Sequence, residues 1–267
     1  MKKKHIIGLI TTGLVAVIAI GTTLAYLTHE TTEKLNDFVY SKSGEDAHAI
    51  LAMLTEPGWD GEFGYSFDKD KQVVNTYYDE NFTNTTKPAD VKYGKDKAID
   101  LLPGDTVSKD PRITNMGDVA DIYTAMRVSF VYQNNTTKRL SDTDMAAVKK
   151  CLSINYAIGK SDSKWVAATS NATSTNELIF YYKDSLDKKT GSATTGGATV
   201  PLFTTVGMDL NSVGTDDVEA LVNIAGGYTI RIDGFAIQSK NLITDNKTFP
   251  EWAESNAGSI SFTALAN

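Results

Sequence analysis

One cysteine in 267 residues rules out an intrachain disulfide, and three histidines leave little material for imidazole chemistry. Cys151 stands beside the apolar run Leu152, Ile154, Tyr156 and Ile158, which reads as a small buried hydrophobe rather than a reactive or intermolecular thiol. Proline occurs six times, and no Pro/Ser-rich stretch divides the chain. Internal repeats are absent. A surplus of positive charge is missing too, since Asp and Glu number 33 against 26 Lys and Arg, a net −7. Such a chain repels nucleic acid and anionic lipid, so nucleic-acid binding is set aside. Long hydrophobic runs are limited to one, the uncharged stretch from Ile6 to Ala25.

That single run defines the chain's beginning. Lys2, Lys3 and Lys4 precede it, small residues end it at Thr23-Leu24-Ala25, and polar sequence follows from His29. A basic head, an apolar middle and a small-residue end predict an export signal over residues 1–25, cleaved between Ala25 and Tyr26. The alternative is an uncleaved anchor, because about 20 apolar residues cross a bilayer. Thr11, Thr12, Gly13, Gly21, Thr22 and Thr23 shorten the apolar centre and favour cleavage. The mature chain, 26–267, is then expected outside the cell, secreted into the matrix or held at the surface. Cleavage removes three lysines and no acid, so 23 basic residues face 33 acidic ones, a net −10. About 240 residues bury a core large enough to dispense with disulfides.

Strand signals dominate this mature chain. Between 120 and 132, Ile122, Thr124, Met126, Val128, Phe130 and Tyr132 alternate with Asp121, Tyr123, Ala125, Arg127, Ser129 and Val131. Period-two alternation of this kind predicts a central strand with one buried face. Further strands are expected at 47–54, 98–102, 152–158, 177–183, 200–206, 228–238 and 259–264. Within 228–238 the apolar series Tyr228, Ile230, Ile232 gives way at Gly234 to Phe235 and Ile237, which predicts a β-bulge. Ser141 is placed to cap a helix over 142–150, with Asp144 early and Lys149 and Lys150 late. Asp216-Asp217 before Val218, Ala220, Leu221 and Ile224 opens a second helical pattern, with a strand as the alternative. Segments 68–97 and 184–199 read as long polar loops. The whole predicts an all-β sandwich or jelly roll with short inserted helices.

Four stretches then occur in a telling order: Ala25-Tyr26-Leu27-Thr28, then Leu54-Thr55-Glu56-Pro57-Gly58-Trp59-Asp60, then the run from Leu101 to Pro111 leading through Asn115-Met116-Gly117, and last Tyr181-Tyr182 with Pro201 to Val206. Together they resemble the TasA/camelysin family of exported bacterial proteins across nearly the whole chain. The Leu-Thr-Glu-Pro and Leu-Pro-Gly-Asp segments are the most specific parts. The resemblance implies a jelly-roll fold and a dedicated signal peptidase acting during export. Members resembling TasA form extracellular fibres in biofilms, whereas those named camelysins are described as metallo-endopeptidases. Physical reading gives the motif residues Pro57, Trp59, Pro103, Gly104, Asp105, Asp110, Asn115 and Gly117 structural work. Pro103-Gly104 suits a type II turn, Asp105 can hold following amides, and Asn115 to Asp118 forms a second turn. Turn, strand, turn, strand would then build one edge of a sandwich. Reading Asp105 and Asp110 as calcium ligands needs further convergent oxygens, which the sequence does not place.

Three functions from different classes follow. A zinc peptidase needs about three protein ligands, yet the mature chain keeps only His29 and His48. In His29-Glu30-Thr31-Thr32-Glu33, Glu33 stands where a second histidine of the zinc motif belongs, so no catalytic residue, metal or cofactor is assigned. A fibre subunit needs a strand to donate, and cleavage frees residues 26–40, with Tyr26, Leu27, Leu35, Phe38 and Val39 as the assembly residues. Ten extended residues span about 33 Å. Head-to-tail addition of copies gives an open homopolymer, with matrix or cell-wall components as further partners. The bland counterpart is an N-terminal strand folded back on its own domain, 41–267. A monomeric adhesin is the third reading, resting on Trp59 to Tyr65, whose aromatics equally suit a closing core.

Overall fold

A computed structural model describes residues 35–39, 49–67, 73–98, 104–174, 176–209, 215–240, 242–243, 246–262 and 264–266. The chain begins with strand β1 (Leu35–Val39) and β2 (Ala49–Thr55), a helical turn α1 (Pro57–Asp60), the hairpin β3 (Gly64–Phe67) and β4 (Val73–Tyr78), and a second turn α2 (Gly94–Lys97). Strands β5 (Thr106–Ser108), β6 (Arg112–Asn115), β7 (Ile122–Tyr132) and β8 (Asn135–Arg139) lead into helix α3 (Asp142–Cys151). Then come β9 (Leu152–Ile154), β10 (Trp165–Ala167), β11 (Glu177–Tyr182), β12 (Thr205–Met208), helix α4 (Thr215–Val222), β13 (Tyr228–Gln238) and helix α5 (Phe249–Ser255). Strands paired in antiparallel sheets dominate, with few short helices, so the fold is all-β in character.

The central sheet runs β10-β11-β7-β13, with β8 also on β7. Three-stranded sheets β1-β2-β6 and β5-β12-β9 accompany it, and β3-β4 stands as a two-stranded ribbon. The expected central strand is β7, flanked in register by β11 and by the full length of β13. Its apolar series Ile122, Met126, Val128 and Phe130 enters a core shared with Leu54 from β2, Val107 from β5, Val206 from β12 and Val148 from α3. Each such side chain contributes roughly 1.5–3 kcal/mol as an upper bound.

Burial on one face only is where the sequence reading falls short. The opposite face of β7 is covered as well: Ala125 packs with Tyr181, Phe235, Phe249 and Ala253, the last two from α5. Phe249 stacks on Tyr123 at 4.8 Å between ring centroids. Helix α5 carried a readable signal in Thr248-Phe249-Pro250-Glu251, a capping box with Pro in the first turn. This second layer also corrects the bulge at Gly234. Register runs unbroken through Asp233↔Arg127, Gly234↔Met126 and Phe235↔Ala125. Tyr228, Ile230, Ile232 and Ala236 belong to the large core, whereas Phe235 and Ile237 belong to the α5 side. The apolar residues change face because the strand passes beneath a different cover.

Other boundaries shift for comparable reasons. Observed β2, β9, β11 and β12 overlap the expected strands, but 152–158 shortens to three residues and 200–206 moves to Thr205–Met208. Ala98 follows α2, and the rest of 98–102 lies outside the described residues. Among the described residues of 259–264 no strand forms; a 3-10 turn, Ala257–Ser259, opens an irregular tail. Helix α3 starts where expected, with Ser141 Oγ accepting from the Asp144 amide at 3.2 Å, and α4 starts at Thr215 with Asp216-Asp217 in its first turn. Segment 68–97 is no continuous loop, since it holds β4 and α2. Segment 184–199 is bound down too: Leu186 exchanges backbone hydrogen bonds with Ile122, and Asn115 does so with Gly196 and Gly197. Its polar composition conceals one buried apolar anchor, Leu186 at 4% exposure, and ends on a buried polar one, Thr199.

Candidate functional site

The two most specific motif segments meet in space. Glu56 follows β2 and Lys109 follows β5, and they form an ion pair of 2.8 Å with both side chains at 0% exposure. Such a pair survives burial only with good geometry and further partners. One is supplied by Trp59, whose ring lies 4.6 Å from Lys109 Nζ. Next in sequence, Asp110 accepts from the Gly58 amide through Oδ1 and from Arg112 through Oδ2. Both carboxylate oxygens are thus engaged by protein. Burial raises the Asp110 pKa above the ordinary value, and Arg112 and the Gly58 amide oppose that rise.

Local structure places these groups. Pro57 occupies the first turn of α1, where its missing amide costs nothing, and this turn brings Gly58 and Trp59 under β5. Gly94, opening α2, lies so close that a Cβ there would stand 1.9 Å from the Ser108 carbonyl oxygen; only glycine fits. Lys87 reaches back to donate to the Asp60 carbonyl and lies 4.6 Å from the centre of the Tyr93 ring. Its pKa is lowered, first by burial and then by neighbouring Lys95.

The remaining motif residues work as clamps. Gly104 takes φ of +96°, as its turn requires, and its amide donates to the Met208 carbonyl at 2.9 Å; Pro103 lies outside the described residues. Asp105 is exposed, and its carbonyl accepts from the Met208 amide. Asn115, fully buried, donates through Nδ2 to the Ala120 and Leu186 carbonyls at 3.0 and 3.2 Å, and accepts from the Gly117 amide at 3.0 Å. One side chain therefore closes the turn before β7 and fastens the 184–199 segment. The unit is not one edge of a sandwich, as its spacing predicts, because β5, β6 and β7 belong to three different sheets. Each turn carries the chain from one sheet to the next.

A second buried charge cluster has no counterpart in the sequence reading. Arg127 on β7 donates to Asp233 Oδ2 at 2.7 Å, Arg231 donates to Asp233 Oδ1 at 2.8 Å, and Arg127 also faces Glu177 at 3.5 Å. Phe262 covers it, 5.0 Å from the Arg127 guanidinium carbon. Three charged residues at alternate positions on neighbouring long strands were the available signal.

The cleavage residues Ala25 and Tyr26 and the assembly residues Tyr26 and Leu27 lie outside the described residues. Leu35, Phe38 and Val39 fall on β1, which pairs antiparallel with β2 of the same chain, Leu35 opposite Met53 and Val39 opposite Ala49. This is the folded-back arrangement. Trp59 is 2% exposed and closes the core rather than marking a surface. Cys151 is buried, its Sγ 3.6 Å from the Asp217 carbonyl oxygen, and burial raises its pKa. His29 and His48 are outside the described residues, and within those residues no group of three or more His, Cys, Asp and Glu converges on a metal position. Among the described residues no helix is long and apolar enough to cross a membrane. The chain matches no family model, no curated protein and no solved structure.

Proposed function

We propose that this chain is a secreted structural subunit of extracellular fibres, a jelly-roll domain of the TasA/camelysin type that polymerises through its N-terminal strand once the export signal is cut. The observation that carries the reading is the place of β1. It is the outermost strand of its sheet, held to β2 over five residues, and it lies within the segment 26–40 that cleavage would free. An edge strand has one row of unpaired backbone groups and a single partner to leave. Moving β1 onto the β2 of another copy recreates the same register, so exchange costs little beyond the entropy of association. Residues 40–48 join the two strands, and nine extended residues reach roughly 30 Å, enough to bridge neighbouring subunits.

Electron microscopy of the purified mature protein, with its first residue identified by mass spectrometry, tests the proposal. Filaments beginning at Tyr26 are the expected result. A chain lacking residues 26–40 should stay monomeric and should capture a synthetic 26–40 peptide on the bare edge of β2. Filaments of ordinary length from the shortened chain would remove the mechanism. A solitary mature protein that cuts peptides until a chelator is added would favour the peptidase instead.

A further inference from the structure

A cleft of about 540 Å3 opens at the far end of the central sheet, lined by Tyr132, Asn134, Asn135, Lys138, Asp144, Asn223 and Ala225. None belongs to the motif segments. The turn between β7 and β8 and the loop before β13 form its walls. Amides of Gln133 and Asn134 donate to the Gly227 and Gly226 carbonyls at 3.2 Å, which holds the two walls together. The floor is fixed as well: Tyr132 OH donates to Asp144 Oδ2, and Ser141 Oγ meets the same oxygen at 2.8 Å.

What remains unengaged gives the cleft its chemistry. Among the described residues the side-chain amides of Asn134 and Asn223 make no hydrogen bond, and both residues are exposed. Asn135 uses its oxygen toward Thr137 and keeps its two amide protons. Asp144 keeps Oδ1. Primary amides and a carboxylate offer donors and acceptors in pairs, which match the vicinal hydroxyls of a sugar. Tyr132 supplies a flat aromatic face, beneath Lys138 Nζ at 5.4 Å from the ring centre. Lys138 is exposed.

The alternatives fit less well. One lysine and one aspartate give the lining no net charge, so neither an anion nor a cation is favoured. The asparagines would be left unsatisfied by an apolar ligand. The chain's net −7 repels polyanions. We infer that this cleft binds a neutral glycan chain, with Asn134, Asn135, Asn223 and Asp144 hydrogen-bonding sugar hydroxyls and Tyr132 receiving a sugar face. The inference is independent of strand exchange, since no residue of β1 or β2 lines the cleft.

Saturation-transfer NMR on the purified mature protein, which works for monomer and filament alike, tests it. The probes are the hexasaccharides of β-1,4-glucose, β-1,4-N-acetylglucosamine and α-1,4-glucose. Saturation should pass to at least one, strongest at the protons on one sugar face, with affinity in the millimolar range. Asn134→Ala with Asn223→Ala should weaken it by about tenfold, as expected for lost hydrogen bonds, while thermal unfolding stays unchanged because both side chains are exposed. Lys95→Ala, remote from the cleft lining, should change nothing. Silence from all three sugars overturns the inference, as does equal transfer from the doubly substituted chain.

Discussion

Replacing Lys109 by Met keeps most of the buried stem and deletes the charge. The variant leaves the Glu56 carboxylate without its ammonium partner at a position where both side chains are wholly buried. Breaking such a pair from one side costs about 3–5 kcal/mol, because the surviving charge stays desolvated. Loss of the contact with the Trp59 ring is included in that figure, since a desolvated cation over an aromatic is worth about 2 kcal/mol by itself. With a urea m-value of about 2 kcal/mol per molar, the unfolding midpoint should fall by about 2 M. Tryptophan fluorescence and far-UV circular dichroism followed together give the midpoint and check that one transition is being read. Removing both charges, Lys109→Met with Glu56→Leu, should recover most of the loss, because an apolar pair of similar volume replaces ions that were costly to bury. The difference between single and double variants is the coupling energy. A single variant less than about 1 kcal/mol below the parent, or a double variant no better than the single, would refute the account of this junction.

Two further outcomes follow from buried polar groups. Asn115→Ala strands the Ala120 carbonyl and the Gly117 amide and removes one of the two donors to the Leu186 carbonyl, which keeps the Ile122 amide, and should lower stability by about 2–4 kcal/mol; urea unfolding measures it, and a loss within error would show the clamp to be idle. Tyr181 has its phenol pKa raised from 10.0 to about 12 by burial and by Glu254. Between those values the unfolded chain has released a proton that the folded chain retains, so stability falls as pH rises from 10 to 12. Tyr181→Phe should flatten part of that slope, read as urea midpoints at pH 9.5 and 11.5, and an unaltered slope would contradict the assignment.

The long strands were legible because period-two alternation is a local property. Residues 122–132 and 228–238 carry it whatever they pack against, and Ser141 caps its helix through an amide three residues away. Motif residues were legible as structural parts for a related reason: Pro57, Gly104 and Asn115 each answer a backbone demand within a few positions. What misled the reading was cover. Phe235 and Ile237 looked like the aftermath of a bulge because α5 and the tail beyond it, distant in sequence, were not seen to roof that end of β13. Segment 184–199 looked unattached because Leu186 is one apolar residue in a polar run, and its partner, Ile122, is 64 positions away. The cleft was invisible for the same reason: Tyr132 and Asn223 come from elements that only the sheet brings together.

Composition and pattern alone established a disulfide-free, acidic, strand-rich chain with an export-like beginning and two turn-bearing motifs. Those properties depend on residue type and near-neighbour spacing, which folding does not alter. Tertiary structure decided which motif meets which. Glu56 finds Lys109 across 53 positions, two arginines share Asp233 across neighbouring strands, and β1 finds the edge of its own sheet. Pairings of this kind depend on loop closure and on which surfaces remain to be buried, quantities that belong to the whole chain and to no segment of it.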